Sequence, residues 1–407
     1  MRALAALVVV LSGCSRRDEV RPDPVHTPAP PPAPKKLAPA VERAVVAGVV
    51  VDLSARKVLY TLSKDPPTFE ALDETSAFLV DRKGVVHAFD LGTGVERWHV
   101  TPPRCSQFTS TDGELYCVED THVHALAKGT GALRTIPGTG TITQVLGLAR
   151  HLVVLRSGGS LESIPEGTSK VIGSTTTPLH TWPKLVRHGT DVCGANSVAK
   201  GVFAACWEPT LVPRWSNTFV LAKPGEPSTS FLPRAIGPEL LVAGTWWSSG
   251  PIERSLVVRL SDGVETTRLE QDVAGVLSHD ATTLDGLLSL KKDLRFLDAT
   301  GKLQWSMPKV WGDSAAAATA DGRLFVAIYS SGSAGAQLYA FDGGGTPAWT
   351  ATPTLPPIAH SAYINHVELS IRAGLVAMHG EEAAVEYLSL FEPKTGKPVI
   401  EVVRPLW

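Results

Sequence analysis

A short strand–turn–strand pattern recurs along the chain, and this repetition constrains the fold more than any other feature of the sequence. In the clearest copy, an alternating run ends at Asp90, a turn containing Gly94 follows, and a second run ends at Trp98. Further copies start at Val123, Leu294, Leu338 and Leu388, and weaker copies start at Val49, Leu161, Thr218 and Leu256. Such repetition indicates a fold assembled from successive copies of one supersecondary unit.

The glycines of these turns measure the period of the repeat. Gly94 and Gly131 are 37 residues apart, and Gly225 and Gly263 are 38 residues apart. A longer gap of 58 residues separates Gly167 from Gly225, which fits a unit with a loop insertion. A period of about forty residues made of strands and turns is typical of propeller blades.

Two further strand-like runs precede each copy, so each unit supplies the four strands of one blade. Eight such units fit between Thr68 and Val403, and a half-unit from Val45 to Leu62 precedes them. The sequence therefore predicts an all-β propeller of four-stranded blades, with eight blades, and seven as the alternative. We expect the half-unit to close the ring against the last blade and so to remove exposed sheet edges.

The clearest copy also matches the pattern Ala-x-Asp-x-x-Thr-Gly-x-x-x-Trp, with Ala88, Asp90, Thr93, Gly94 and Trp98. This pattern resembles the repeat of the pyrroloquinoline-quinone (PQQ) dehydrogenase-like propellers. In that family the tryptophans dock between neighbouring blades. The resemblance implies this docking role for Trp98, Trp305 and Trp349, and Tyr60 stands at the equivalent place in the first copy.

The start of the chain predicts export and lipidation. A positive start at Met1-Arg2 and an apolar run to Leu11 are typical of a secretory signal. Ser12-Gly13 before Cys14 resembles the bacterial lipobox, in which the peptide is cut before a cysteine that carries a diacylglycerol. An ordinary signal peptide with an incidental cysteine is the alternative. Ser15, rather than Asp, follows the cysteine, which favours anchoring in the outer membrane. We expect the folded part to face the periplasm, and exposure at the cell surface is the alternative.

These features divide the chain into three parts. Residues 1–13 are predicted to be the signal peptide, and residues 14–41 the lipidated Cys14 with a disordered, proline-rich linker. Proline fixes φ and removes a hydrogen-bond donor, so this linker is expected to form neither helix nor sheet. Residues 42–407 are predicted to form the PQQ-like propeller, as a monomer held to the membrane by the lipid.

Four cysteines remain in the folded part, and an even number in an exported protein predicts two disulfides. Cys105 and Cys117 are 12 residues apart, and Cys193 and Cys206 are 13 apart. Each pair flanks a turn-rich stretch, so we expect each to face itself across an antiparallel hairpin.

The sequence predicts no catalytic set and no cofactor or metal. It has no GxSxG, Walker or HExxH motif, and no adjacent cysteine pair of the kind many quinoprotein dehydrogenases carry. A net charge of −2 without a basic run predicts no nucleic-acid partner. Asp120, His122 and His124 alternate as strand residues do and could hold a metal, although a solvated strand face is the more common explanation.

Two functional classes follow. A lipid-anchored, PQQ-like propeller without a catalytic set is similar to the BamB-type lipoproteins of outer-membrane β-barrel assembly. This similarity implies a scaffold that binds protein partners through loops at one end of the ring. Trp246, Trp247 and Trp311 are candidate contacts because aromatic residues near exposed loops favour contact sites. Packing between blades is the alternative role for these tryptophans. The second class is a PQQ-dependent oxidoreductase or a carbohydrate-binding propeller. A cluster of acidic and amide side chains at one mouth of the central channel would support it, and the sequence does not reveal such a cluster.

Overall fold

The computed structural model describes residues 42–179, 184–226, 230–235, 240–246, 254–271, 273–277, 284–290, 293–308, 310, 314–329, 336–355, 365–382 and 385–405. Within these ranges every regular element is a β-strand. No helix in the described part is long and apolar enough to cross a membrane. The predicted signal peptide, Cys14, the linker, Trp247 and Trp311 lie outside the described residues.

The described residues form one three-stranded sheet and eight four-stranded sheets, all antiparallel and each in sequential strand order. The N-terminal sheet comprises β1 (Arg43–Val46), β2 (Val49–Asp52) and β3 (Lys57–Thr61). Sheet 1 comprises β4 (Phe69–Leu72), β5 (Ser76–Val80), β6 (Val86–Asp90) and β7 (Glu96–Val100); sheet 2 comprises β8 (Phe108–Ser110), β9 (Glu114–Glu119), β10 (His122–Ala127) and β11 (Leu133–Ile136). Sheet 3 comprises β12 (Ile142–Gly147), β13 (His151–Arg156), β14 (Ser160–Pro165) and β15 (Gly173–Thr176); sheet 4 comprises β16 (Lys184–His188), β17 (Asp191–Val198), β18 (Gly201–Trp207) and β19 (Pro213–Val220).

The second half of the chain continues the same arrangement. Sheet 5 comprises β20 (Ser230–Ala235), β21 (Leu240–Trp246), β22 (Ser255–Arg259) and β23 (Glu265–Leu269); sheet 6 comprises β24 (Gly275–Leu277), β25 (Gly286–Leu290), β26 (Asp293–Asp298) and β27 (Leu303–Pro308). Sheet 7 comprises β28 (Ser314–Ala320), β29 (Arg323–Tyr329), β30 (Gln337–Phe341) and β31 (Pro347–Ala351); sheet 8 comprises β32 (Asn365–Arg372), β33 (Leu375–Glu382), β34 (Val385–Phe391) and β35 (Pro398–Pro405). The predicted all-β propeller of four-stranded units is confirmed.

The middle strands are apolar on both faces because each sheet packs between two others. In the described part of the chain, nine buried clusters join each sheet to the next around the ring. The three successive valines of β2 show the principle: Val49 and Val51 pack with Leu390 of sheet 8, whereas Val50 packs with Leu79 of sheet 1. Alternate side chains of one strand therefore fill two different interfaces.

The N-terminal half-unit packs against the last blade, as expected, but it does so as a sheet of its own. Sheet 8 already has its own four strands, and the half-unit forms a separate three-stranded sheet between sheet 8 and sheet 1. Ion pairing supports this closure, because Glu42 accepts a hydrogen bond of 2.8 Å from Arg372 of β32. Packing and side-chain contacts, rather than strand pairing with sheet 8, join the two ends of the described chain.

The Asp–Gly turn of the repeat has a local physical cause. Asp90 Oδ1 accepts hydrogen bonds of 2.9 Å from the backbone N–H groups of Gly92 and Thr93. Gly94 then adopts φ of +71°, a conformation that costs glycine little. A β-bulge follows on β7, where Arg97 is the extra residue between Glu96, opposite Phe89, and Trp98.

The weak copy starting at Thr218 was assigned wrongly. Residues 218–231 run from the end of β19 into β20, and Gly225 lies between two sheets rather than in a repeat turn. The repeat turn of sheet 4 lies at Glu208–Leu211, where Leu211 has φ of +66° in the place of glycine. Because glycine was taken as the marker of the turn, a leucine in the same backbone conformation was missed.

Both predicted disulfides are present. Cys193 and Cys206 are directly opposed on β17 and β18, as expected for a hairpin bridge. Cys105 differs, because it lies before β8, and its partner Cys117 on β9 is opposed by Phe108. The first bridge therefore ties the loop between sheets 1 and 2 to sheet 2, rather than spanning a hairpin.

Candidate binding site

A central cavity of about 820 Å³ is lined mainly by the first strands of the N-terminal sheet and of sheets 1, 6, 7 and 8. Ala315, Ala316 and Ala317 of β28 form part of its wall, and their small side chains leave the space open. Its volume falls within the range of about 300–1,000 Å³ that is usual for small-molecule pockets. The cavity is therefore large enough to admit a ligand or a partner's side chains.

An acidic and histidine cluster lies in the wall of this cavity. Glu70 of β4 accepts a hydrogen bond from the backbone N–H of Gly48. On β33, His379 Nε2 lies 2.9 Å from Oε1 of Glu386, a residue of the adjacent strand β34. Register explains that contact, because Gly380 faces Tyr387 and the neighbouring residues lie diagonally across the same pair of strands.

The environment shifts the protonation of this cluster. Burial raises the pKa of Glu70 to about 7, and the nearby Glu386 carboxylate adds to the increase, while the Gly48 N–H and His379 oppose it. The hydrogen bond to Glu386 raises the pKa of His379, against the opposing effect of burial. Near neutral pH this cluster can therefore act as a hydrogen-bond donor or as an acceptor toward a polar group of a ligand.

Two arginines also line this cavity, and one of them, Arg372, is ion-paired with Glu42. Arg372 Nη2 donates to the Arg43 carbonyl at 3.2 Å, and Arg43 Nη1 donates to the Leu91 carbonyl at 2.9 Å. Arg43 Nε is buried without a hydrogen-bond partner. These contacts place both guanidinium groups where the N-terminal sheet meets sheets 8 and 1.

This polar wall was missed from the sequence. Glu70 and His379 are more than 300 residues apart, and neither lies in the repeat motif. Only closure of the ring brings β4 close to β33 and β34, so no local spacing could have indicated the cluster. Acidic side chains of the kind that would support the second functional class thus line the cavity, but its described lining contains no Asn or Gln.

The aromatic residues of the repeat contact the next sheet. Trp98 Nε1 donates to the Lys128 carbonyl at 3.0 Å, and Trp349 Nε1 donates to the Pro393 carbonyl at 3.0 Å. Trp305 packs against Phe341 with ring centroids 4.6 Å apart.

Tyr60 and Trp215 make the same kind of contact. The Tyr60 hydroxyl donates to the Leu91 carbonyl, and Trp215 Nε1 donates to the Leu260 carbonyl at 2.7 Å. Trp215 was missed because its turn contains Leu211 instead of glycine.

The remaining candidates are less informative. Trp246 is the last residue of β21 and pairs with Ser230, while Trp247 and Trp311 lie outside the described residues. Asp120 lies in the turn between β9 and β10, not on a strand. His124 is buried, and its nitrogens lie 2.9 Å from Glu119 Oε2 and 3.1 Å from Thr135 Oγ1. His124 is thus engaged within the sheet, whereas His122 is exposed.

Comparison with known proteins gives likenesses of fold. No family model matches the chain, and no curated protein matches its sequence. A eukaryotic initiation factor is similar, with a TM-score of 0.56 and 10% identity over 84% of this chain and 89% of that chain. The dihydro-heme d1 dehydrogenase NirN in complex with DHE has a TM-score of 0.51 and 13% identity, over 92% of this chain and 76% of that chain. BamB from Moraxella catarrhalis has a TM-score of 0.49 and 12% identity over 83% and 96% of the two chains. At these identities, the two likenesses with TM-scores above 0.5 concern the fold alone.

Proposed function

We propose that this chain is a non-catalytic propeller scaffold, tethered in the cell envelope, that binds a protein partner at the central cavity. The observation that carries the proposal is the exposed rim of that cavity. Glu368 and Ser370 of β32 and Leu72 of β4 are exposed there, next to the charged cluster. A mixed apolar and charged rim around a concavity is suited to a polar, specific protein contact.

The envelope location rests on the sequence start and on the cysteines. Cys14 in its lipobox-like setting would hold the chain to a membrane, with the proline-rich linker as a spacer. The two disulfides agree with an oxidising compartment such as the periplasm. A component of outer-membrane β-barrel assembly is the partner class that the lipobox and the PQQ-like repeats favour.

Photo-crosslinking in intact cells tests the proposal. A photoreactive residue is placed at Leu72 or Ser370 on the rim, and at Val220 or Leu303, which are exposed on the last strands β19 and β27, as matched controls. We expect one discrete adduct from the rim positions and none from the controls, identified by mass spectrometry. Adducts from the controls alone, or none from any position, would overturn the proposal.

A second candidate function is small-ligand binding in the same cavity, either of a carbohydrate or of a quinone cofactor. The specific observation in its favour is Glu70, a carboxyl whose pKa burial raises to about 7 beside a cavity of about 820 Å³. Calorimetry with oligosaccharides, and a redox assay with added PQQ and Ca²⁺, distinguish this candidate from the scaffold. Saturable binding that Glu70→Gln abolishes would favour the second candidate.

A further inference from the structure

The bulge of sheet 1 brings two histidines and a glutamate together. His87 on β6 and His99 on β7 are direct cross-strand partners. Glu96 lies three residues before His99, a spacing that would put the two on opposite faces of a regular strand. Because Arg97 is the extra residue of the bulge, Glu96 instead faces Phe89, and its side chain lies on the same face as the two histidines.

The three ligand atoms converge. Glu96 Oε1 lies 3.1 Å from His87 Nδ1 and 2.9 Å from His99 Nδ1. In a tetrahedral zinc site, with metal–ligand distances near 2.1 Å, neighbouring ligand atoms are about 3.4 Å apart. The two Glu96–histidine distances are therefore within a few tenths of an ångström of the spacing in a zinc site, and all three ligand atoms lie within 4.8 Å of one another. Among the described residues, this is the one group of three His, Cys, Asp or Glu whose ligand atoms all lie within 4.8 Å of one another.

The outer contacts of His87 suit a metal ligand. Its second nitrogen, Nε2, lies 3.6 Å from Asp81 Oδ2, an ion-pair distance slightly longer than a hydrogen bond. Asp81 is itself fixed, because its Oδ1 accepts hydrogen bonds of 2.8 Å from the backbone N–H groups of Lys83 and Val85. A carboxylate on the far nitrogen is the usual support of a metal-bound histidine, since it orients the ring and selects the tautomer.

Space and access are also present. A cavity of about 360 Å³ adjoins the trio and is lined by His87, Glu96, Asp81 and Phe89, among others. The side chain of His99 is 67% exposed, so an ion can enter from solvent. The cavity provides room for a water or an exogenous ligand at a fourth position.

The other repeats provide an internal comparison. Equivalent bulge positions hold Arg295, Ser306 and Leu303 in sheet 6, and Tyr339, Thr350 and Pro347 in sheet 7. None of the other bulged sheets in the described part of the chain has a histidine at these positions. The blade architecture therefore forms without this trio, so the fold does not require it.

We propose that His87, Glu96 and His99 form a binding site for a divalent transition-metal ion, Zn²⁺ in the first instance, with Asp81 as a positioning residue. Two imidazoles and one carboxylate are the ligands of many three-residue zinc sites with an open position. This site is separate from the central cavity and goes beyond the proposed scaffold function.

Metal titration of the full chain, purified without a polyhistidine tag and stripped with EDTA, tests the site. We expect one Co²⁺ per chain with the visible absorption of low-coordinate cobalt, displaced by one Zn²⁺, and a zinc-dependent rise in Tm. His99→Ala is expected to weaken zinc binding more than about tenfold, and Asp81→Asn, which keeps the turn acceptor, by about tenfold. His122→Ala, an exposed histidine of sheet 2, is the matched control and should bind as the unaltered chain does.

The site is overturned by any of three results. These are the absence of saturable one-to-one binding by the unaltered chain, equal binding by His99→Ala, or an equal loss in His122→Ala. Circular dichroism of each variant separates loss of the site from loss of the fold. Because His99 is largely exposed, His99→Ala should leave the fold intact.

Discussion

The buried carboxyl of Glu70 predicts a pH-dependent stability. In the folded chain its pKa lies at about 7, against a usual value of 4.5. A carboxyl with a raised folded pKa keeps its proton on folding, so its contribution to stability is complete below about pH 4.5 and is lost as the pH rises through about 7. Glu70→Gln removes this loss while keeping an oxygen acceptor for the Gly48 N–H.

The magnitude follows from the shift. A difference of about 2.5 pKa units corresponds to about 3 kcal/mol, which we reduce to about 2 kcal/mol because the side chain is partly exposed to the cavity. Below pH 5 we therefore expect the unfolding free energy to change with pH to nearly the same extent in Glu70→Gln and in the unaltered chain. The variant should gain about 2 kcal/mol relative to the unaltered chain between pH 5 and pH 8.

Urea unfolding at several pH values, followed by tryptophan fluorescence, measures this gain. Glu368→Gln alters an exposed carboxyl of the same cavity and is the matched control, with an expected change within about 0.5 kcal/mol at each pH. His379 and Glu386 face the same site, so both are left unchanged in these variants. A relative stability of Glu70→Gln that is constant from pH 5 to pH 8, or that falls, would refute the reasoning.

Three further tests concern the contacts between and within sheets. Trp98→Ala should lower the unfolding free energy by about 2–4 kcal/mol, because both the packing of the ring and its hydrogen bond to the Lys128 carbonyl are lost. Trp98→Phe keeps most of the packing and should lower it by about 1 kcal/mol. Equal losses in the two variants would contradict this account. Gly131→Ala should destabilise the folded chain by about 1–3 kcal/mol, since Gly131 has φ of +71° and a Cβ there would lie 2.9 Å from the Trp98 side chain. An unchanged Tm of this variant would refute the prediction. Replacing Cys193 and Cys206 together by serine should cost about 3 kcal/mol, and added reductant should then have a smaller effect on Tm than in the unaltered chain.

Much of the architecture could be predicted because the repeat is local. Asp90, Gly94 and Trp98 record a turn, a bulge and an inter-sheet contact within nine residues, so each clear copy indicates one blade edge. The repeat turn of sheet 4 was missed because Leu211, and not a glycine, adopts the positive φ there. The N-terminal half-unit was recognised, but its position as a separate sheet depends on its packing against both sheet 8 and sheet 1.

The candidate sites could not be predicted in the same way. The Glu70 and His379 cluster forms from strands that are distant in sequence, and its pKa shifts arise from burial that only the closed ring creates. On a regular strand, the three-residue spacing of Glu96 and His99 would put their side chains on opposite faces. The bulge at Arg97 puts them on the same face, and the sequence does not indicate that bulge. Local patterns therefore indicate the blades, whereas the polar sites depend on tertiary closure and on irregular pairing.

The central claim is that a partner binds at the rim of the central cavity. Hydrogen exchange of the full chain, measured by mass spectrometry with and without the partner identified by crosslinking, tests it most directly. We predict slower exchange in the cavity-lining segments of β4 and β32, around Glu70 and Glu368, with unchanged exchange in β19 and β27. Protection confined to β19 and β27, with β4 and β32 unaffected, would contradict the claim.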